Sequence, residues 1–327
     1  MNTITRLAMM LLATGPFASH VAAQTGPAQG YPKKPIRVIV PFGPGGVTDI
    51  MARTVGEKLY ASWGQPMIIE NRPGAGGTIG TNIVAKAAPD GYTLAVVSSG
   101  HVVSHVFYST LPYDTIHDFA GVIPLGQNPT YLVVSPGLGV KSVREFIALA
   151  KAKPGQFNYV SAGAGSGSHM GVEKFRIAAG IDAVHVPLKS GGEMLIELMS
   201  GRVQFGFAGI AVAGGAIKAG KLVALAFCSP RRSTLLPDLP TCAEAGVSGA
   251  EYTFWNGMLA PVKTPRDIVA NLNAEIARLV QLPEMRERFA QIGIEPLVMT
   301  PEQFDASIRK EFATMGPIMK AAGVKAN

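Results

Sequence analysis

The chain has 327 residues, of which 47% are hydrophobic and 16% are charged. This composition excludes intrinsic disorder, and the length suits one large domain or two lobes of ordinary size. The formal charge is +7 at pH 7, but most basic residues are scattered singly along the chain. We therefore expect small anions as partners and no nucleic acid.

Residues 1–23 have the pattern of a secretory signal peptide. Arg6 supplies a positive charge, Leu7 to Ala13 form a short apolar run, and Val21 to Ala23 provide the small residues of a cleavage site. The apolar run is too short to span a bilayer, and no cysteine lies near the cleavage site to carry a lipid. The sequence thus predicts an exported, periplasmic protein without a lipid anchor.

The first segment after the signal peptide reads as a buried strand, a glycine loop and a helix. Ile36 to Val40 is a short, β-branched run, residues 42–46 (FGPGG) form the loop, and apolar residues from Val47 to Leu59 recur at helical spacing. A helix that begins directly after such a loop exposes unpaired amides and the positive end of its dipole. An anion is the expected occupant of this position.

A second version of this pattern lies more than a hundred residues later. Asn158 to Ser161 read as a strand, residues 162–168 (AGAGSGS) as a loop, and His169 to Ala179 as a helix. Ser166 and Ser168 either cap the helix or donate hydrogen bonds to a ligand oxygen. Two such loops suggest one anion cradle in each of two lobes, bridged by a molecule with a carboxylate at either end.

Between the two loops, His101 follows the predicted buried strand from Tyr92 to Val97. Ligands of open α/β sheets sit at the carboxyl ends of the strands. His101 is therefore either a ligand contact or a solvated loop histidine. The alternation of strands and helices through this region predicts a mainly parallel sheet.

Several other classes of site lack their expected pattern. Neither glycine loop is followed by the Lys-Ser/Thr of a phosphate-binding loop, and no acidic residue stands at the spacing of a dinucleotide site. The cysteines and histidines lack metal-ligand spacing, so we predict neither a metal nor a cofactor. Cys228 and Cys242 either pair in a disulfide or stay buried as thiols. An exported hydrolase remains an alternative, although the G-x-S-x-G motif is missing.

In addition, the sequence resembles the Bug/TctC family of extracytoplasmic solute-binding proteins, which serve tripartite tricarboxylate transporters. The resemblance extends from Tyr31 through essentially the whole mature chain. It rests on a series of motifs in order: PFGPGGVTDIMAR, ENRPGAGGTIGTNIVAKAAPDGYTL, LPYDTIHDF, SAGAGSGSH, VPLKSGG, LPDLPTCAEAG, FWNGMLAP and TPEQFDASI.

The resemblance implies an α/β fold of the two-lobed periplasmic binding protein type (type II), in which each lobe is a mainly parallel sheet flanked by helices. Residues 31–130 and 254–327 would form lobe one, residues 131–253 would form lobe two, and the cleft would lie between them. It also implies a non-enzymatic monomer that captures a di- or tricarboxylate and delivers it to a membrane permease. A subunit that presents its ligand to a membrane sensor kinase is the alternative.

The same resemblance indicates which residues hold the ligand. Backbone amides of both loops would bind the two carboxylates, and the candidate residues are Phe42, Gly43, Gly45, Gly46, Ala162, Gly163, Gly165 and Ser166, with Ser168 and His101 as further candidates. Asp49 is expected to fix the first loop by accepting from its amides, because a direct contact with a carboxylate ligand would be repulsive. C4-dicarboxylates, citrate-like acids, amino-dicarboxylates and aromatic dicarboxylates all remain open as ligands.

Overall fold

The computed structural model describes residues 30–321, with gaps at residues 109 and 234. The predicted signal peptide, residues 1–23, lies outside this described part of the chain. Among the described helices, none combines the length and the apolar composition needed to cross a membrane.

Two five-stranded sheets form the framework. The strands of the first sheet are β1 (Ile36–Val40), β2 (Met67–Asn71), β3 (Thr93–Ser98), β4 (Phe119–Pro129) and β10 (Thr253–Pro261). Their order is β2-β1-β3-β10-β4, and β10 runs antiparallel to both of its neighbours. The other four strands are therefore parallel to one another.

The second sheet repeats this arrangement. Its strands are β5 (Tyr131–Val134), β6 (Phe157–Ser161), β7 (Ala183–Pro187), β8 (Phe205–Ala208) and β9 (Val223–Phe227). The order is β7-β6-β8-β5-β9, and only β5 runs antiparallel to its neighbours. The predicted two-lobed α/β fold with mainly parallel sheets is confirmed.

Helices cover both sheets. We call the first sheet together with its helices lobe one; these helices are α1 (Val47–Trp63), α2 (Thr78–Ala85), α3 (Ser104–Phe107), α8 (Arg266–Val280), α9 (Pro283–Gln291) and α10 (Pro301–Ala321). Lobe two contains the second sheet with α4 (Val143–Lys151), α5 (Gly167–Ala179), α6 (Gly191–Met199) and α7 (Ile210–Lys218).

The β-branched run of β1 explains why helices lie on both faces of the first sheet. Val38 and Val40 pack into one hydrophobic core with α1 and α8, whereas Ile39 packs into a second core on the opposite face. All three side chains are fully buried. A strand without a polar face requires cover on both sides, as is usual for parallel sheets.

Some local predictions need correction. Helix α7 was not predicted at all, because its sequence, IAVAGGAIK, contains two glycines and has no strong helix-start signal. Pro265 is the N-cap residue of α8, which begins at Arg266. Cys228 and Cys242 are both buried and free.

The lobes contact each other directly on the side where β1 and β6 end. The amide of Gly43 in lobe one donates to the carbonyl of Lys189 in lobe two at 2.9 Å. The hydroxyl of Tyr108 donates to the carbonyl of Ala164 at 3.1 Å. The first glycine loop and the segment after α3 thus both reach across to lobe two.

Candidate functional site

A cavity of about 70 Å³ lies between the two lobes. The residues that line it come from the first-turn regions of several helices, from the ends of strands and from the two chain crossings. The chain crosses between the lobes twice, at the junction of β4 with β5 and where it enters β10. The lining residues are Phe42, Gly46, Val47, Thr48, Ser98, Asn128, Ala162, Ser166, Gly167, Ser168, Gly191, Met194, Phe207, Ala208, Gly209, Val212 and Phe254. None of these described lining residues carries a charged side chain.

Four helix N-termini converge on this cavity. Gly46 to Thr48 begin α1, Ser166 to Ser168 begin α5, Gly191 begins α6 and Gly209 is the N-cap of α7. Each N-terminus carries about half a positive charge from the helix dipole, together with amides that have no partner inside the helix. The cavity is therefore an electropositive site made by the backbone.

The first loop is held in place by Asp49 in the first turn of α1. Its carboxylate accepts a hydrogen bond from the amide of Gly45 at 3.0 Å, as expected from the sequence. It also accepts from the guanidinium of Arg53 and from the side chain of Asn71. Burial opposes ionisation of Asp49, but these three donors hold its pKa below the usual range.

The second loop is fixed in the same way by a neutral group. The amide of Gly165 donates to Nδ1 of His169 at 3.0 Å, which matches the four-residue spacing between Gly45 and Asp49. Burial lowers the pKa of His169 to about 2. The ring is therefore uncharged and Nδ1 is free to accept.

His169 belongs to a buried polar cluster under the second loop. Its Nε2 lies 3.1 Å from the hydroxyl of Tyr159, and its ring stacks on His185 with centroids 3.9 Å apart. Tyr159 also donates to Glu173, which is paired with Arg176. Both ring nitrogens of His169 thus face groups other than the hydroxyl of Ser166. The serine paired with a histidine in this cluster is the fully buried Ser161, whose Oγ lies 2.6 Å from Nε2 of His185.

Many of the loop amides predicted to hold a ligand have protein acceptors instead. In the first loop Gly43 donates to Lys189 and Gly45 to Asp49. In the second loop the amide of Ala162 donates to the hydroxyl of Ser168, and the amide of Gly163 donates to the hydroxyl of Ser161. The amide of Ser166 donates to the carbonyl of Gly163. These bonds fix the shape of both loops, so the amides directed at the cavity are those of the first helical turns.

Of the predicted ligand residues, Phe42, Gly46, Ala162, Ser166 and Ser168 line the cavity. Ser166 caps α5, since its hydroxyl accepts from the amide of His169, and it also lines the cavity. Its hydrogen bond to a ligand oxygen stays a prediction. Ser168 also lines the cavity, while its hydroxyl accepts from the amide of Ala162.

His101 lies away from the cavity. It is 6% exposed and packs in lobe one against Tyr113 and Phe119, with ring centroids 6.1 and 5.0 Å away. Neither ring nitrogen has a hydrogen-bond partner among the described residues. Both sequence-based alternatives, a ligand contact and a solvated loop histidine, therefore need correction, because the apolar residues after β3 turn the side chain into the core.

Sequence reasoning did not assign a ligand role to the polar residues Thr48, Ser98 and Asn128 in the cavity wall. Ser98 stands at the end of β3, three residues before His101, and the rule that ligands sit beyond strand ends applies to it equally. Asn128 had no such signal, because its position depends on where the chain crosses between the lobes.

Comparison with known proteins places this geometry in a family. The sequence model of the tripartite tricarboxylate transporter family receptor, TctC, matches residues 51–324. Protein BugT of Bordetella pertussis is 36% identical over 329 residues, which cover 99% of each chain.

Solved structures agree with this match. A protein of R. palustris in a structure with adipate has a TM-score of 0.88 at 33% identity, covering 91% of this chain and all of the other. The periplasmic binding protein BugD has a TM-score of 0.87 at 30% identity, with the same coverage. MatC from Rhodopseudomonas palustris with bound malate has a TM-score of 0.84 at 32% identity, covering 88% of this chain and 99% of that one.

The environment of His101 gives a prediction about stability and pH. Burial lowers the pKa of His101 to about 4, against about 6.5 in an unfolded chain. Between these values the unfolded state binds more protons, so stability falls as the pH falls, by about 3 kcal/mol for this group at pH 4. His101→Phe removes this titratable group and keeps an aromatic ring beside Tyr113 and Phe119. We expect the melting temperature of the variant to fall less steeply between pH 6.5 and 4.5.

Thermal melts at half-unit pH intervals measure this difference. The other buried histidines contribute equally to wild type and variant, so the comparison isolates His101. If the melting temperatures of the two proteins change with pH by the same amount, His101 does not titrate in this window.

Proposed function

The chain belongs to the tripartite tricarboxylate transporter receptor family, and we propose that it binds a dicarboxylate in the cavity between its lobes and delivers it to a permease of that transporter type. As a member of this family of solute-binding receptors, it is a carrier of small carboxylates. We propose in addition which residues bind the ligand, that the ligand has two acid groups, and that a permease is the membrane partner.

The convergence of helix N-termini from both lobes carries the proposal. Helix α1 belongs to lobe one, whereas α5, α6 and α7 belong to lobe two, so the electropositive amides lie on opposite sides of one cavity. A carboxylate at a helix N-terminus gains charge-assisted hydrogen bonds and the dipole interaction. A molecule with two carboxylates satisfies both sides at once.

We assign the direct contacts to the first helical turns. In lobe one the donors are the amides of Gly46, Val47 and Thr48, since α1 has no capping side chain. In lobe two they are the amides of Gly167 and Ser168 with the hydroxyl of Ser166. Phe42 and Phe254 supply the apolar walls for the carbon chain of the ligand.

Closure of the lobes is the proposed mechanism of capture. The ligand first binds the N-termini of one lobe, and rotation about the two crossings brings the other lobe onto its free carboxylate. The hydrogen bonds of Gly43 and Tyr108 to lobe two exist only when the lobes touch. Because the ligand contacts both lobes only in this form, it shifts the population towards the closed state.

Structures of relatives support the ligand class. Adipate and malate, the acids in two similar structures, are both dicarboxylates. We also propose a periplasmic location, reached through the signal peptide of residues 1–23, in agreement with the periplasmic binding protein BugD.

The two-sided site predicts that both acid groups are needed. Replacing one carboxylate by an amide removes the charge from one end of the ligand and leaves its size unchanged. We expect succinamate to bind at least about tenfold more weakly than succinate, and the half-amide of adipate to lose a similar factor against adipate, because charge-assisted hydrogen bonds are lost at one lobe. Titration calorimetry measures each pair, and equal affinities would exclude a ligand bridged between two cradles.

The contact between the lobes predicts a variant that binds poorly but folds normally. A Cβ on Gly100 would lie 2.4 Å from the carbonyl oxygen of Gly165 and 2.9 Å from the amide of Gly167, both in lobe two. Gly100→Ala therefore obstructs closure and leaves lobe one undisturbed. Of succinate and adipate, the acid that binds the wild type more tightly serves as the probe. We expect its affinity to fall at least about tenfold in the variant, while the melting temperature of the ligand-free protein stays unchanged.

Gly137→Ala is the matched control, because the nearest atom to its new Cβ is a serine oxygen 3.9 Å away. Small-angle scattering adds a structural readout: saturating diacid should reduce the radius of gyration of the wild type and of this control, but not of Gly100→Ala. Full compaction and affinity in Gly100→Ala would refute closure at this contact.

A further inference from the structure

One wall of the cavity is formed by polar side chains on the first sheet, close to the chain crossings. Ser98 lies opposite Asn256 in the β3–β10 register, and Asn128 lies opposite Phe254 in the β4–β10 register. Paired residues of neighbouring strands point to the same face, as do residues two apart on one strand. These four side chains therefore share one face, and Ser98, Asn128 and Phe254 line the cavity.

Polar atoms of this wall lack partners. Asn128 is fully buried, and neither its amide nitrogen nor its amide oxygen has a hydrogen-bond partner among the described residues; the same holds for the hydroxyl of Ser98. Asn256 is satisfied at one end only: its oxygen accepts from the hydroxyl of Thr48 at 2.7 Å, while its amide nitrogen also lacks a partner among the described residues. Buried polar groups are normally hydrogen-bonded, so the unpaired amide of Asn128 needs a partner that enters the cavity.

Packing alone does not account for an asparagine at this position. The amide oxygen of Asn128 lies 2.6 Å from the place that a Cβ on Gly209 would take. Gly209 is the N-cap of α7 in lobe two, so only a residue without a side chain leaves room for this amide. An apolar side chain of similar size at position 128 would fill the space without leaving unpaired polar atoms.

We propose that the ligand carries a hydroxyl group in addition to its carboxylates, and that Asn128 and Ser98 bind this hydroxyl. A hydroxyl both donates and accepts, which matches an amide that offers one donor group and one acceptor. An ammonium group fits poorly, because helix N-termini surround the cavity and none of the described lining residues is acidic. The inference rests on the proposed function and selects hydroxy acids over amino-dicarboxylates and unsubstituted diacids.

Matched pairs of acids that differ only in the hydroxyl test this inference. Calorimetry compares succinate with malate, glutarate with 2-hydroxyglutarate and adipate with 2-hydroxyadipate, using both enantiomers of each hydroxy acid. For the chain length that binds best, we expect the wild type to prefer one hydroxylated enantiomer by at least about tenfold, since the plain acid leaves Asn128 unpaired. Asn128→Leu should abolish this preference, so that the plain and the hydroxylated acid of that chain length bind the variant with similar affinity.

Thr130→Val is the control variant. Its hydroxyl is also buried without a partner and lies two residues from Asn128, but it does not line the cavity, so the preference should persist. Ser98→Ala provides a second test, with an expected partial loss of preference, and keeps the inference testable if Asn128→Leu does not fold.

The outcomes separate the inference from the proposed function. Diacids that bind without a preference for the hydroxylated member, or a preference that survives in Asn128→Leu, would overturn the inference and leave the carboxylate site intact. If no acid of the panel binds the wild type, the proposed function itself fails.

Discussion

The helices that face the cavity begin with amides that have no partner within their own helices, apart from one amide each in α5 and α6 that Ser166 and Ser190 accept from. Four such termini meet in the cavity between the lobes, and no charged side chain among the described lining residues offsets them. Their dipoles add up to a positive potential, and their amides need acceptors. An anion with oxygen atoms at both ends meets these two requirements, whereas a neutral solute gains no charge attraction and a cationic solute is repelled by the potential.

The two lobes use different chemistry to hold equivalent loops. The carboxylate of Asp49 accepts from the amide of Gly45, whereas the neutral imidazole of His169 accepts from the amide of Gly165. The negative charge of Asp49 is shared with Arg53 and partly offsets the positive end of α1. In lobe two the neutral ring of His169 provides no such negative charge. This lobe contributes three of the four helix N-termini. Lobe two therefore supplies more helix dipoles to the cavity, although Glu193 in the first turn of α6 offsets part of their positive charge.

Much of the fold was predictable because its signals are local. Ile36 to Val40 is a β-branched run that only a strand covered on both faces accommodates, and the glycine loop after it marks the change of period from strand to helix. The start of α4 has a local signal as well, because the hydroxyl of Ser142 accepts from the amide of Glu145 as an N-cap. Helix α7 was missed because its glycines lower its helix propensity, and contacts within lobe two stabilise it instead.

The site was predictable only in part. A sequence shows where a loop lies, but it does not show which loop amides are already hydrogen-bonded to other residues of the protein. The glycines at 43, 45, 163 and 165 matched the expected motif, yet their amides bind Lys189, Asp49, Ser161 and His169. Asn128 had no sequence signal, since its importance arises from its place beside Gly209 of the other lobe. His101 was misread because burial in the aromatic core depends on distant residues.

The repeated strand order explains why the two loops face each other. In each sheet the loop follows the second strand in spatial order, β1 or β6, and leads into a helix whose N-terminus lies beyond the carboxyl edge of that sheet. The one antiparallel strand of each sheet, β10 or β5, is the strand by which the chain enters from the other lobe. The chain crossings therefore lie at the edges where the parallel strands end, and the two carboxyl edges face each other across the hinge. Small rotations about these crossings change the distance between the cradles, while each cradle keeps the shape fixed by its own hydrogen bonds.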